Sequence, residues 1–182
     1  MTTLFSIKKL GSGASLVFAG MVLGALAVVA LLFASKPSPE DIAEAQRRDT
    51  VAYIKAEQLR QGVDCSKLTS NISSFLESQV QPIEELHRPG RNWYKDVTQD
   101  AKKQIEKLRD DYSTCERLSI QARNEGVRGL VGFVPVEGLE TQLVIIYTVM
   151  RNEFCAVNNL PCMDQSFEDL QGAANAIRET IE

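Results

Sequence analysis

The sequence predicts an all-α protein: a single N-terminal transmembrane helix followed by an up-and-down bundle of about five helices, stapled by disulfides. Three observations predict it. Residues 10–35 carry no charged side chain. Beyond them, apolar residues recur at alternating three- and four-residue steps, the period of a helix with one buried face. The chain's 4 cysteines, Cys65, Cys115, Cys155 and Cys162, all follow the uncharged stretch.

The anchor is the first element. Residues 16–34 (LVFAGMVLGALAVVALLFA) are apolar or small throughout, and about 20 such residues span a bilayer's hydrocarbon core as a helix. A cleaved signal peptide would have a shorter apolar region, with small residues three and one before the cut. The clean match to that pattern, Ala25-Leu26-Ala27, falls in mid-stretch, which favours an uncleaved anchor. Residues 1–9, with Lys8 and Lys9, then form a short cytoplasmic tail, 10–35 the anchor and 36–182 an extracytoplasmic helical domain. Lys36, Arg47 and Arg48 weaken the orientation signal from basic residues. The even number of cysteines beyond the anchor restores it, because disulfides persist in oxidising compartments. The expected location is the inner membrane, single-pass, with the bulk of the chain in the periplasm. The sequon Asn71-Ile72-Ser73 matters only in a eukaryotic secretory pathway and is read as chance.

All 24 acidic residues lie beyond Lys36, against 17 of the 20 basic ones. Nucleic acid is excluded as a partner, since it requires a basic footprint.

Ser38 followed by Pro39 reads as the N-cap and first position of the first helix. Its expected inward stripe is Ile42, Ala45, Asp49, Ala52, Ala56, Leu59 and Val63, and Gly62 and Asp64 end it. A second helix starts near Ser66, carries Leu68, Ile72, Phe75, Leu76 and Val80, and is expected to stop before Pro82. Residues 82–91 hold at most one helical turn, closed by Pro89-Gly90. Asn92 is expected to cap the long third helix, with its seam at Tyr94, Val97, Ala101, Ile105, Leu108, Tyr112, Cys115, Leu118 and Ala122, and Gly126 at its C-terminal cap. Leu139, Leu143, Ile146, Met150, Phe154 and Val157 form a fourth stripe. Residues 143–149 are β-branched enough to suit a strand, but the continuing period favours helix. Residues 158–162 turn the chain, and Asp164 caps a last helix with Phe167, Leu170, Ala174, Ile177 and Ile181.

Short connections make consecutive helices antiparallel. At about 1.5 Å per residue, Cys65 at the top of the first helix and Cys115 on the third come to the same height, roughly 35 Å up. The expected pairing is therefore Cys65–Cys115 with Cys155–Cys162, against the alternative of four buried thiols. The same scheme puts residues 126–138 (GVRGLVGFVPVEG) at the membrane-distal turn. That stretch contains four of the chain's 11 glycines. Leu130, Val131, Phe133 and Val136 either plug the end of the bundle or form a partner-docking tip, since exposed apolar patches mark interaction sites. A loop inserting into another membrane is a third possibility.

Residues 87–95 (HRPGRNWYK) return to the membrane-proximal end. Arg88, Arg91, Trp93, Tyr94 and Lys95 there suit a lipid interface, with the aromatic rings at headgroup level and the cations on phosphates. The alternative is a bundle-end loop with Trp93 in the core. Within the anchor, Gly20 and Gly24 form a GxxxG, and Gly13, Gly20, Ala27 and Ala34 recur every seventh position, a stripe that admits a close helix neighbour.

The sequence offers little for catalysis, where a thiol-redox reading of Cys155 and Cys162 is weakened by their lack of CxxC spacing, and no cofactor or metal is expected. His87 reads as a solvated side chain, Glu84-Glu85 and Asp110-Asp111 as solvated acids, and no HExxH, CxxC, GxSxG or phosphate-binding loop is present. Glycines 126, 129 and 132 lack the Lys and Ser/Thr that such a loop needs. The expectation is a non-enzymatic envelope component. Its helical domain would serve as a structural or assembly module, contacting other envelope proteins or its own copies through the anchor and residues 126–138. The alternative is an extracytoplasmic helical ligand sensor or regulator that signals through a separate membrane partner.

Overall fold

A computed structural model describes residues 38–153, 155 and 164–181. The anchor 10–35, with Gly13, Gly20, Gly24, Ala27 and Ala34, lies outside the described residues. So do the turn 158–162, Val157 and Cys162. Among the described residues every regular element is helical, and no helix is long and apolar enough to cross a membrane. Contacts divide the chain into Met1–Gln46 and Arg47–Glu182, a division that falls within the first helix.

In the first unit, Ser38 caps helix α1 (Pro39–Gln61) as its sequence expects. The Ser38 hydroxyl oxygen accepts from the Asp41 backbone N–H at 3.1 Å, and the Asp41 carboxylate accepts from the Ser38 N–H at 3.0 Å. This reciprocal pair satisfies two groups that a helix start leaves open.

In the second unit, α1 ends at Gly62, whose φ of 64° is left-handed and lets Val63 donate back to the Gln58 carbonyl. A single 3-10 turn (Cys65–Lys67) capped by Asp64 leads into α2 (Leu68–Phe75). The expected stop before Pro82 does not occur. The chain passes through a π turn (Leu76–Val80) into α3 (Gln81–Leu86), with Pro82 in its first turn. The wider turn explains how. The Gln81 N–H bonds to the Leu76 carbonyl, five residues back, so the ladder has already shifted where Pro82 offers no donor.

The long helix also starts later than its sequence suggests. Asn92 does cap, accepting from the Tyr94 N–H, but the turn it opens is a short 3-10 segment (Trp93–Asp96). Val97 is extended, and the hydroxyl oxygen of Thr98 accepts from the Ala101 N–H to open α4 (Gln99–Asn124). The seam of α4 lies as expected: Ala101, Ile105, Leu108, Tyr112, Cys115, Leu118 and Ala122 are all buried. Helix α5 (Leu139–Met150) packs on α4 and on α6 (Asp164–Ile181). Leu139, Leu143, Ile146 and Met150 on one, with Phe167, Leu170, Ala174 and Ile177 on the other, enter a single core. The β-branched run is thus helical, because its residues meet the core at helical, not alternating, spacing.

The inward face of α1 differs from expectation. Ile54 is 0% exposed and Glu57 is buried, whereas Leu59 is 83% exposed and Ile42 is exposed. A stripe made mostly of alanine offers little apolar area to bury. Ile54 offers more, and Glu57 comes with partners. Its carboxylate accepts from Arg60 at 2.8 and 2.6 Å, from Gln61 at 3.1 Å and, across to α4, from Arg117 at 3.3 Å. Hydrogen bonds from Arg60, then Gln61, hold the Glu57 carboxyl down to about 2, with burial opposing and Arg117 assisting.

Two predictions follow from this face. In urea unfolding, Ile54→Ala should cost about 2–5 kcal/mol, while Leu59→Ser should stay within about 0.5 kcal/mol; equal losses would restore the stripe read from sequence. Glu57 gains stability from being ionised, so its contribution is complete above its ordinary value of 4.5 and disappears as pH falls towards about 2. The slope of stability against pH in that window should therefore flatten in Glu57→Gln.

Candidate functional site

The end of the bundle that holds Cys65 is built from three distant parts of the chain. Cys65 and Cys115 form a disulfide with Cα atoms 5.5 Å apart, the expected pair. Cys155 is disulfide-bonded too; its expected partner Cys162 lies outside the described residues. Over the Cys65 end runs the strap between α4 and α5. Gly126, at a φ of 71°, reverses the chain, and Val127 donates to the Ala122 carbonyl.

The strap then runs back along α4. The Ser119 hydroxyl donates to the Phe133 carbonyl at 3.0 Å, and the Tyr112 hydroxyl donates to the Val136 carbonyl at 3.3 Å. Burial pushes the Tyr112 phenol above its usual range, with Glu116 and Glu140 adding to it, so the hydroxyl stays a donor. Phe133 stands edge-on to Tyr112, ring centres 5.4 Å apart. Val131 and Phe133 are buried and Leu130 is half-buried, while Val136 and especially Val134 (71%) are exposed. Most of the apolar set therefore closes the core, as the plug reading expects. The apolar surface left open on the strap is Val134 with part of Val136, and Val134 was not among the residues singled out from sequence. At Gly132 a Cβ would come within 3.0 Å of the Ser66 side chain. Glycine there permits contact between strap and disulfide turn, beyond the left-handed φ of 70°.

The opposite end is formed by residues 87–96 on the start of α6. Trp93 and Tyr94 are buried, which corrects their placement at a lipid interface. The Trp93 indole N–H donates to the Ser166 hydroxyl at 3.2 Å, and its ring meets Phe167 edge-on. A buried indole needs such a partner, and α6 supplies it. The Tyr94 hydroxyl accepts from the buried ammonium of Lys102 at 2.6 Å. Arg88 and Lys95 stay exposed, and Arg91 is tied to Asp96 at 2.9 Å. His87 is not the solvated side chain expected. Its side chain is 14% exposed, it stacks on Phe167 at 3.6 Å, and its Nε2 lies 3.6 Å from the Asp164 carboxylate. The Asp164 carboxylate also accepts from the Gly90 N–H at 3.2 Å, so the start of α6 is docked on the Pro89-Gly90 turn. Spacing within residues 87–95 could not show this, because the partners lie more than 70 residues on.

Sequence reasoning also missed Glu57. Its Arg60 and Gln61 partners stand at i+3 and i+4, a spacing that could have been noticed; Arg117 gave no local sign. Among the described residues, no three His, Cys, Asp or Glu side chains gather to hold a metal ion.

The plug reading yields a paired test by urea unfolding. Phe133→Asp buries a carboxylate in the core and should cost several kcal/mol. Val134→Asp, one residue on, should cost less than about 0.5 kcal/mol. Cys115→Ala opens a loop of 50 residues and should cost about 4 kcal/mol. Similar losses in the two aspartate variants would contradict the division between buried and open strap residues.

No protein-family model, curated protein or solved structure matches this chain. Its function has to be read from its own residues.

Proposed function

We propose that the chain is a non-enzymatic component of a cell envelope, anchored in the inner membrane by residues 10–35. Its helical domain would lie in the periplasm and act as an assembly module in a multiprotein complex. The observation that carries this reading is the cysteine chemistry. Cys65, Cys115 and Cys155 are each in a disulfide, a state that suits a compartment outside the cytoplasm. An uncharged stretch of membrane-spanning length precedes them, and Lys8 and Lys9 before it favour a cytoplasmic N-terminus.

The described residues support a scaffold more than a reaction centre. Their titratable groups are mostly engaged in structural pairs: Glu57 with Arg60 and Arg117, Glu84 with Arg178, Glu106 with Arg151. Apolar side chains remain on the surface at Leu59, Val134, Ile120 and Val144. The small-residue stripe of the anchor suits a helix neighbour in the bilayer, a second copy or another envelope protein.

Purification of the native chain in a mild detergent, with mass-spectrometric identification of what accompanies it, tests the reading. The expected result is a defined oligomer or complex whose recovery falls in the Gly20→Leu, Gly24→Leu double variant. A monomer recovered alone would overturn it, as would a complex indifferent to both changes together with protease protection of residues 36–182 in spheroplasts.

A further inference from the structure

Most arginines of the bundle are occupied. Arg60 and Arg117 meet Glu57, Arg91 meets Asp96, Arg109 meets Asp110, Arg151 meets Glu106 and Arg178 meets Glu84. Arg47, Arg123 and Arg128 are not, and the last two lie close together. Their guanidinium groups make no ion pair or hydrogen bond among the described residues. Both are exposed, and both line one open pocket of about 510 Å³ beside the strap. Its other walls are Ser119, the glycines 129 and 132, and the apolar side chains of Phe133 and Val134, with no acidic residue among them. Other exposed cations, such as Arg47, Lys55 and Lys103, are unpaired among the described residues too, but these two share one pocket without an acidic wall in a protein of net charge −4.

The walls are held in place without a ligand. Ser119 donates to the Phe133 carbonyl, Gly132 donates to the Gly129 carbonyl at 3.3 Å, and Gly132 rests on Ser66. The C-terminus of α4 is nearby, and its open carbonyls would repel an anion. Here three of them are bonded: Glu125, Gly126 and Val127 donate to the carbonyls of Gln121, Arg123 and Ala122. The full charges lining the pocket are those of the two guanidinium groups, whose planar donor forks match carboxylate or phosphate oxygens. The volume is in the range of small-molecule sites, where apolar walls and a few convergent polar groups bind together.

We propose that this pocket binds a small organic anion with an apolar body, a carboxylate in the simplest case. The head group sits on Arg123 and Arg128, and the apolar part lies on Val134, next to the pocket wall that Phe133 forms. Such a carboxylate is supplied by a fatty acid or by the free C-terminus of an apolar peptide, and the two sources share the chemistry that the pocket reads. The site is independent of the assembly reading, since it requires neither the anchor nor a protein partner.

The test is calorimetric titration of the full-length chain in lipid nanodiscs, with hexanoate standing for the first source and N-acetylleucine for the second. Each acid is compared with its neutral primary amide and with the Arg123→Gln, Arg128→Gln double variant, and partitioning into the bilayer is subtracted with empty nanodiscs. Saturable binding of either acid, absent for its amide, is the expected result, and the acid that binds identifies the source. Each single arginine variant should weaken it about tenfold or more, and Val134→Asp should abolish it by repulsion. All these variants should keep the parent's unliganded melting temperature, because the side chains make no internal contact that the fold uses. Binding of acid and amide alike, binding unchanged in the double variant, or no saturable binding of either acid would each overturn the proposal.

Discussion

The bond between Cys65 and Cys115 joins the top of α1 to the middle of the longest helix, across 50 residues of chain. Closing so long a loop removes much of the unfolded chain's freedom, but its larger consequence is positional. With the turn after α1 pinned to α4, Glu57 in the last turns of α1 meets Arg117, and Ser66 next to Cys65 meets the strap at Gly132. Both contacts presuppose that pinning. So does the strap's course, since the residues it bonds on α4, Ser119 and Tyr112, bracket Cys115.

Helix α4 is the element against which the others are measured. It faces α2, the strap and α5, and it carries the cysteine, the tyrosine and the arginine that organise the Cys65 end. The opposite end brings residues 87–96 onto the start of α6. It is held by aromatic packing: His87 on Phe167, Trp93 on Phe167 and Tyr94, and the indole bond to Ser166. The Cys65–Cys115 bond and backbone turns thus hold one end, and rings and polar caps hold residues 87–96 at the other. Arg123 and Arg128 occur at the first of these, beside the strap's glycine turns. A binding site benefits from that arrangement, because a preformed pocket loses little ordering entropy when it is filled.

Several features were legible because they are local. The seam of α4 and the stripes of α5 and α6 follow from apolar side chains large enough to dominate their helices. The caps at Ser38 and Asn92 follow from side chains that reach their own backbone. Even the pairing of Cys65 with Cys115 followed from counting residues per turn, because helices that alternate in direction bring the end of the first and the middle of the third to one height. The late start of α4 was less visible: Asn92 and Thr98 are both capable caps six residues apart, and the first opens only a short turn. The passage of the chain through Pro82 was hidden as well, since a π turn has no marker in composition.

By itself, then, the sequence determined the class, the buried stripes of α4, α5 and α6 and one disulfide, all consequences of spacing within a helix. The tertiary structure alone decided which face of α1 turns inward, that Trp93 and Tyr94 are core, that His87 stacks, and which strap residues remain open. The physical reason is the same in each case. Where one stripe is strongly apolar, its own chemistry selects the face. Where candidates are comparable, or a polar group can be buried only with partners, the selection belongs to side chains such as Arg117, Phe167 and Ser66, brought there from far along the chain. The segment 126–138 shows both sides of this. Its glycines announce a reversal, but only the contact with Ser66 and the bonds from Ser119 and Tyr112 decide that Phe133 goes in and Val134 stays out.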